Sequence, residues 1–214
     1  PDIVLNLAAE SHVDNSIKNA KNFINTNIVG TYNLLEVSKE YLKETTKKFL
    51  YFQISTDEVY GDLKLKKSSF SENSLINPSS PYSASKAAGD HLVSSYFRTH
   101  NLPTIITRCT NNYGPYQSSE KLIPKVIINA LCKKNIPVYN KGNEVRDWIH
   151  VSDHADAILE LIKSGKPGNV YNIGSRNLIK NIELIKKILF IISQTKEDYI
   201  KLKKLIKFVK DRPG

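Results

Sequence analysis

The segment Phe49-Leu-Tyr-Phe-Gln-Ile-Ser-Thr-Asp-Glu-Val-Tyr-Gly61 joins an apolar run to a polar loop. Its first six residues, which end at Ile54, have the aromatic and β-branched content of a buried strand. A stretch rich in Ser, Asn and Pro follows, and a helical pattern then begins at Tyr82. A strand followed by a helix is the repeating unit of a parallel sheet.

The same alternation of strands and helices continues in both directions along the chain. Strands are predicted at Ile3–Leu7, Phe49–Ile54, Pro103–Thr107 and Asn169–Ile173. Helices are predicted from Asn15 onward, with Ile24, Ile28, Leu35 and Leu42 on one face, and at Tyr82–Arg98, Lys121–Cys132, Val151–Ile162 and Ile182–Ile192. The sequence therefore predicts an α/β fold with a doubly wound parallel sheet. Such sheets bind ligands beyond the carboxyl ends of their strands, so polar segments after the strands are the places to look for chemistry.

The bulk composition excludes several classes of protein. Of 214 residues, 40% are hydrophobic and 24% are charged, which suits a globular protein with a substantial core. No apolar run approaches the roughly 20 residues that span a bilayer. No secretory signal opens the chain, and the two cysteines, Cys109 and Cys132, are far apart. We therefore expect a cytoplasmic protein without a membrane span, a disulfide framework or a zinc ribbon.

The net charge of +10 raises the possibility of nucleic-acid binding. The lysines are dispersed, however, and the densest group, in residues 201–207, has no aromatic residues of the kind that stack on bases. A solvated helix face accounts for this group, so no nucleic-acid partner is predicted. A basic surface also suits an acidic small molecule such as a nucleotide diphosphate.

The ends of the sequence indicate an internal piece of a longer protein. The sequence contains no Met, it begins with Pro1, and it ends abruptly at Asp211-Arg-Pro-Gly214.

The first candidate for chemistry is the pair Tyr82 and Lys86. Residues four apart share a helix face, and a neighbouring ammonium lowers the pKa of a tyrosine from its usual value near ~10. The same spacing occurs at Tyr60/Lys64 and Tyr199/Lys203, so spacing alone is weak evidence. Only Tyr82 follows a Pro-marked turn and opens a helix of small residues. We therefore assign a functional role to Tyr82 and Lys86 and a structural role to the other two pairs.

The second candidate is the adjacent pair Asp57 and Glu58, directly after the predicted strand. Most Asp-Glu pairs are solvated loop acids. Two carboxylates in differing environments at the end of a strand can instead act as an acid and a base, which is the arrangement that eliminates water.

Together these residues resemble the extended short-chain dehydrogenase/reductase superfamily. Within it, the Thr-Asp-Glu triplet at Thr56 is typical of the 4,6-dehydratases, whereas sugar epimerases usually carry small residues at Asp57 and Glu58. Seven further motifs resemble those of dTDP-glucose 4,6-dehydratases in the same order. They are Leu7-Ala-Ala-Glu-Ser-His-Val-Asp14, Asn27-Ile-Val-Gly-Thr31, Asn111-Asn-Tyr-Gly-Pro115, Glu120-Lys-Leu-Ile-Pro124, Arg146-Asp-Trp148, Tyr171-Asn-Ile-Gly174 and Asp211-Arg-Pro-Gly214. The resemblance covers nearly the whole chain and is looser from about Leu178 to Val209.

The resemblance implies a lyase that uses NAD to dehydrate dTDP-glucose to dTDP-4-keto-6-deoxyglucose. Tyr82 would remove the proton of the C4 hydroxyl, with Lys86 holding the cofactor ribose and Thr56 bonding the C4 oxygen. Glu58 would then remove the C5 proton, Asp57 would protonate the departing C6 hydroxyl, and the hydride would return to C6.

The resemblance also implies a set of binding residues and a homodimer. The residues expected to contact NAD are Leu7, Ala8, Ala9, Glu10, Ser11, Thr26, Ser55, Tyr82, Lys86 and Asn112. Those expected to bind the nucleotide sugar are Ser11, Thr56, Asp57, Glu58, Asn111, Lys121, Leu122, Pro137, Val138, Tyr139, Arg146, Asn181 and Arg212. A planar guanidinium such as that of Arg146 suits a diphosphate because it makes bidentate contacts.

The chain departs from the family pattern at the cofactor's pyrophosphate. The family's Gly-x-x-Gly-x-x-Gly turn is absent, since Gly165 and Gly168 precede a strand and position 171 is Tyr. We therefore expect a Rossmann-like sheet that is incomplete at its N-terminus, and a fragment that binds NAD poorly by itself. Residues 1–112 and 147–175 are predicted to form the NAD-binding domain, and 113–146 and 176–214 the smaller nucleotide-sugar-binding region.

Several alternatives remain open. A UDP-glucose 4,6-dehydratase would share the same chemistry and differ at the base pocket, and a non-catalytic remnant would bind nucleotide sugars without turnover. His150 and His154 are four apart, but no third metal ligand is evident, so no metal site is predicted. Trp148 is interpreted as a packing residue.

Overall fold

The computed structural model describes residues 1–62 and 69–210. The described chain forms two compact units. The first consists of Pro1–Thr110 and Ala155–Ile173, and the second of Asn111–His154 and the described residues from Gly174. Residues 111–112, 147–154 and 174–175, predicted to belong with the cofactor domain, fall in the second unit. No helix in the described ranges is both long and apolar enough to cross a membrane.

A four-stranded parallel sheet forms the centre of the first unit. Its order is β1-β2-β3-β7, and every pair of neighbours is parallel. The registers place Tyr51 beside Thr104 and Ile106 beside Val170. These strands are β1 (Ile3–Asn6), β2 (Leu50–Thr56), β3 (Thr104–Cys109) and β7 (Val170–Ile173). All four were predicted from apolar runs, because buried parallel strands are apolar on both faces.

Helices cover both faces of this sheet. The helices that contribute to the first unit are α1 (Val13–Lys18), α2 (Lys21–Phe23), α3 (Thr31–Glu44), α4 (Pro81–His100) and α6 (Val151–Ser164). Adjacent strand residues point to opposite faces. Tyr51 packs with Leu35 of α3 and Val93 of α4, whereas Phe52 packs with Ile158 of α6. The doubly wound α/β fold predicted from the sequence is confirmed.

The long helix predicted from Asn15 is not one helix. It is interrupted after α1, and a π-helical segment, Ile24–Gly30, separates α2 from α3. The predicted apolar stripe is wrong at its start, because Ile24 is 48% exposed. The buried positions are instead Phe23, Asn27, Thr31, Leu35 and Ser38. A partly polar buried face gives no apolar periodicity, so a pattern based on hydrophobicity could not find it.

In its described residues, the second unit consists of short strands and three α-helices, besides a 3₁₀ turn and the first residues of α6. A three-stranded sheet has the order β4-β6-β8, and two further strands, β5 and β9, pair in parallel. Its apolar core includes Val126, Ile136, Ile185 and Leu189. The strands are β4 (Asn111–Tyr113), β5 (Ile136–Val138), β6 (Val145–His150), β8 (Leu178–Lys180) and β9 (Ile206–Phe208), and the helices are α5 (Leu122–Leu131), α7 (Asn181–Ile192) and α8 (Lys196–Lys203). α5 and α7 were predicted, whereas the strands were not. Four of the strands have only three residues, and Arg146 and Asp147 interrupt the apolar residues of β6.

We expect Leu35→Ala to destabilise the protein by about 3 kcal/mol, since Leu35 is fully buried between α3 and the sheet and its truncation leaves a cavity. Leu159→Ala, at a position 53% exposed on α6, is the control and should change the free energy of unfolding by less than about 0.5 kcal/mol. Urea unfolding of the full-length protein measures both, and equal losses would contradict this packing.

Candidate active site

The turn that carries Asp57 and Glu58 lies at the carboxyl end of β2. A single 3₁₀ turn, Asp57–Tyr60, follows Thr56 directly. The Thr56 hydroxyl accepts a hydrogen bond from the Glu58 backbone N–H at 3.3 Å and donates to Asp57 Oδ1 at 3.4 Å. Both carboxylates are half-buried, while Val59 and Tyr60 are buried. The turn thus keeps both acids at the edge of the sheet.

Gly61 closes this turn in a conformation that a side chain would not tolerate. Its φ is +78°, and a Cβ would lie 2.2 Å from the Asn77 carbonyl oxygen. Only glycine adopts this conformation at low cost, which explains why a glycine occupies position 61.

A well-capped helix start positions Tyr82 and Lys86. Ser80 caps α4: the Ser83 N–H donates to the Ser80 hydroxyl at 3.1 Å, and the Ser80 N–H donates to the Ser83 hydroxyl at 3.0 Å. Pro81 occupies the first turn, where its missing N–H costs nothing. Tyr82 therefore lies in the first helical turn and Lys86 one turn later, as the sequence predicted.

Tyr82 is buried close to Thr56. Burial raises the pKa of Tyr82 above its ordinary value, and the charges of Glu58 and Asp57 act in the same direction. The pKa of Tyr82 was expected to be lowered by Lys86. That expectation is wrong for this structure, because burial has the largest effect and the charges of Glu58, Cys109 and Asp57 add to it.

Lys86 is buried on the same side of α4. Its ammonium donates to the Ile54 carbonyl of β2, with a distance of 2.7 Å between Nζ and the oxygen. Burial lowers the pKa of Lys86, and the nearby Asp90 carboxylate opposes this shift. Tyr82, Lys86, Thr56 and the two acids thus meet at one edge of the sheet.

Asn27 is a site residue that sequence reasoning missed. Its side chain forms two hydrogen bonds with the Glu10 backbone, at 2.9 Å and 3.0 Å, and donates to the Ser85 hydroxyl at 2.8 Å. It therefore ties the loop after β1 to α4. Gly89 permits this approach, since a Cβ there would lie 3.0 Å from the Asn27 carbonyl oxygen. The sequence of the motif Asn27–Thr31 does not indicate that the Asn27 amide is buried and joins two elements.

The residues predicted to contact NAD lie mostly along the carboxyl edge of the first unit. Leu7, Ala8, Ala9 and Ser11 are exposed in the loop that follows β1, and Glu10 is half-buried beside Asn27. Thr26 is half-buried in the π-helical segment, and Ser55 is buried in β2. Asn112 belongs to the second unit, in β4.

Most residues predicted to bind the nucleotide sugar lie in the second unit. Asn111 pairs with Trp148 in the three-stranded sheet, which also carries Arg146. Lys121 and Leu122 begin α5, Pro137 and Tyr139 lie at the end of β5, and Asn181 begins α7. The side chain of Val138 is buried in the core of the unit. Arg212 lies outside the described residues.

Asp147 organises the loop between β7 and β8. Its carboxylate accepts four hydrogen bonds: from the Ser175 N–H at 2.9 Å, the Ser175 hydroxyl at 2.6 Å, the Arg176 N–H at 3.1 Å and the Asn177 N–H at 2.8 Å. Burial raises the pKa of Asp147, but these hydrogen bonds outweigh it and hold the pKa below the usual range. The loop leads into β8, which pairs with β6 beside Arg146.

The motifs given structural roles have ordinary surroundings. His150 shares a hydrogen bond with Ser152 at 2.6 Å, and His154 is buried, which lowers its pKa. No cluster of metal-ligating side chains occurs in residues 1–62 or 69–210. The Lys203 ammonium lies 5.4 Å from the centre of the Tyr199 ring on α8. Lys64, of the third Tyr-Lys pair, lies outside the described residues.

We expect Asp147→Asn to cost about 1–2 kcal/mol at neutral pH, because an amide accepts fewer of these hydrogen bonds than a carboxylate. The folded-state pKa of Asp147 is depressed, so its contribution is present above the unfolded pKa near ~3.9 and is lost as the pH falls. The difference in free energy of unfolding from wild type should be constant between pH 5 and 8 and shrink below about pH 4. Urea unfolding measures it, with Asp156→Asn, an exposed position away from the first turn of α6, as control; a difference that grows in acid would refute the assignment.

Comparisons with known proteins identify the family. The family model for GDP-mannose 4,6 dehydratase matches residues 1–214. A dTDP-glucose 4,6-dehydratase from Escherichia coli is 50% identical over 230 residues, covering 100% of this chain and 64% of that protein. A dTDP-glucose 4,6-dehydratase double mutant from Streptomyces venezuelae, solved with NAD bound, has a TM-score of 0.90 and 37% identity over 99% of this chain and 61% of that chain.

A dTDP-glucose 4,6-dehydratase from Bacillus anthracis in complex with NAD gives a TM-score of 0.83 at 42% identity, again over 99% of this chain and 61% of that chain. The chain thus spans less than two thirds of the length of these relatives. Because the family model matches the chain from its first residue to its last, the chain belongs to the GDP-mannose 4,6 dehydratase family.

Proposed function

We propose that the full-length protein dehydrates dTDP-glucose to dTDP-4-keto-6-deoxyglucose with NAD as a recycled cofactor. The observation that carries this proposal is the meeting of Tyr82, Thr56 and the Asp57–Glu58 turn at one edge of the sheet. An epimerase needs the tyrosine and its lysine but has no use for the acid pair. Relatives with about half of their residues identical carry the same enzyme name.

The described residues fit the nicotinamide-ribose half of NAD. The Lys86 ammonium has three N–H donors, and its contact with Ile54 uses one of them, so donors remain for ribose hydroxyls. The exposed loop Leu7–Ala9 has small side chains at two of its three positions, which leaves its backbone accessible. Glu10, Ser11, Thr26, Ser55, Tyr82 and Asn112 are proposed as the further contacts. When bound, NAD supplies a hydride acceptor and a ring charge that favours the Tyr82 phenolate.

The oxidation step uses Tyr82 and Thr56. Tyr82 accepts the proton of the C4 hydroxyl as the C4 hydride leaves, and Thr56 donates a hydrogen bond to the C4 oxygen. Thr56 and Tyr82 lie close together at the edge of the sheet, so one substrate oxygen can contact both. Because Tyr82 is buried, water has little access to its hydroxyl, which is the proposed base.

The elimination step uses the two acids of the 3₁₀ turn. A keto group at C4 acidifies the C5 proton, which Glu58 removes, and Asp57 protonates the hydroxyl that leaves C6. Both carboxylates are half-buried on the same turn at the edge of the sheet, where they can reach adjacent carbons of one substrate. The elimination requires one of them protonated and the other ionised.

The second unit is proposed to bind the nucleotide diphosphate. Arg146 is suited to the diphosphate, and its guanidinium currently donates to the Val145 carbonyl at 3.0 Å, a weak contact that a phosphate would replace. The other proposed contacts are Ser11, Asn111, Lys121, Leu122, Pro137, Val138, Tyr139, Asn181 and Arg212. Since the Val138 side chain is packed in the core, its contact would come from the backbone.

A homodimer is proposed as the assembly. Leu34 and Val37 lie three residues apart on α3, and are 38% and 69% exposed. Neighbouring apolar side chains exposed on a helix are typical of surfaces that pack against a partner, and a second copy of the chain is the partner proposed here.

The test uses the full-length protein with NAD and either dTDP-glucose or UDP-glucose, with mass spectrometry to follow the loss of one water without accumulation of NADH. We expect loss of water from dTDP-glucose. Loss of water from UDP-glucose alone would show that the nucleotide base of the substrate is uracil and not thymine. If neither sugar changes and the protein still binds NAD, only a role in binding nucleotide sugars would remain.

The matched variant for this assay is Glu58→Gln. It removes the base of the elimination but keeps the turn, since the backbone N–H of residue 58 makes the capping bond. We expect dehydration to fall by 10²-fold or more, on the order of one general base, while NAD binding is retained. Unchanged dehydration by Glu58→Gln would exclude Glu58 as the base.

A further inference from the structure

One helical turn after Lys86, α4 contributes Asp90 to a buried ion pair that the proposed mechanism does not use. Asp90, on α4, is 1% exposed, and Arg108, on β3, is 5% exposed. The Arg108 Nε donates to Asp90 Oδ2 at 2.9 Å. Removing charges from water is costly, so a buried pair at this position calls for an explanation beyond stability.

Arg108 is held from two further directions. Its Nη1 donates to the Tyr60 hydroxyl at 3.0 Å, and its guanidinium carbon lies 4.9 Å from the centre of the Tyr60 ring. The Tyr60 hydroxyl in turn donates to Asn172 Oδ1 at 2.8 Å. Because Tyr60 is the last residue of the 3₁₀ turn, Arg108 links the turn that carries Asp57 and Glu58 to α4 and to the sheet.

Asp90 lies one helical turn after Lys86, so the two side chains share a face of α4. Both are buried there, and the Lys86 ammonium is fixed by the Ile54 carbonyl at 2.7 Å. The titratable groups whose charges act on Lys86 are Asp90 and, on β3, Cys109. Asp57 and Glu58 on the 3₁₀ turn and Arg108 on β3 also lie on elements that pack against α4.

A buried ammonium needs a counter-charge, because burial favours the neutral amine. Burial raises the pKa of Asp90, and the charge of Arg108 opposes this shift without reversing it. An arginine stays charged in proteins, so the 2.9 Å ion pair favours an ionised Asp90, whose charge also acts on Lys86 one helical turn away.

We propose that Asp90, held by Arg108, is a positioning residue that keeps Lys86 in its ammonium form at the active-site edge. The role rests on the proposed function only in that Lys86 would hold the cofactor ribose and support Tyr82. The pair acts through Lys86 and contacts no reacting atom.

The direct test follows the charge of Lys86 in the full-length protein labelled with ¹³C at lysine Cε. The Lys86 resonance is assigned by its loss in Lys86→Met, and its midpoint is measured by pH titration. In Asp90→Asn we expect the midpoint to fall by about one pH unit or more, the effect of removing an adjacent opposite charge. Asp156→Asn, which changes an exposed Asp on α6, should leave it unchanged.

A second variant guards against misfolding. Asp90→Asn strands the buried Arg108 guanidinium, whereas Asp90→Asn/Arg108→Gln removes both charges and keeps similar side-chain volume. Because the double variant removes a negative and a positive charge that lie 2.9 Å apart, its Lys86 midpoint should lie between those of wild type and Asp90→Asn. A Lys86 midpoint in Asp90→Asn that equals the wild-type midpoint would overturn the proposal.

Turnover separates this inference from the proposed function. If the protein dehydrates dTDP-glucose, the alkaline limb of its kcat profile should move to lower pH in Asp90→Asn by the same amount as the Lys86 midpoint. A residue that only stabilised the fold would lower the amount of active enzyme without moving this limb. A shifted Lys86 midpoint in a protein that turns over neither sugar would sustain the role of Asp90 and refute the dehydratase proposal.

Discussion

A single guanidinium, that of Arg108, holds together the elements that form the site. It contacts Asp90 on α4 and Tyr60 at the end of the 3₁₀ turn, while its own backbone belongs to the centre of the parallel sheet. α4 presents Tyr82 and Lys86, and the turn presents Asp57 and Glu58. This contact joins the helix that carries the proposed base for oxidation to the turn that carries the acids proposed for elimination.

The parallel sheet explains why this arrangement is possible. The carboxyl ends of β1, β2 and β3 lie at one edge, so polar segments that are far apart in sequence meet there. Two buried polar contacts then fix the details: Asn27 joins the loop after β1 to α4, and Lys86 bonds the backbone of β2. The apolar packing on both faces of the sheet supports these contacts without taking part in the chemistry.

Much of the first unit could be predicted from sequence because its signals are local. Four apolar runs marked the strands, and a Pro-marked turn with a small-residue helix separated Tyr82 from two other tyrosines with the same spacing. The position of Asp57 and Glu58 after a strand could also be predicted, because the apolar run of that strand ends shortly before them. The family resemblance assigned specific catalytic and binding roles to these residues. The roles of the binding residues stay predictions.

The features that were missed depend on contacts distant in sequence. Asn27 bridges to Ser85, 58 residues away, from a π-helical segment with a partly polar buried face. The raised pKa of Tyr82 arises from burial and from carboxylates on another element, which spacing within one helix does not reveal. The three-residue strands of the second unit are too short for a periodic signal.

We propose that one site performs oxidation, elimination and return of the hydride. To test this, the full-length protein is supplied with NAD and with dTDP-glucose that carries deuterium at C4, and the label is located in the product by mass spectrometry and NMR. We expect a dehydrated sugar that carries the deuterium at C6. Loss of the deuterium to solvent or to accumulated NADH would refute the proposal.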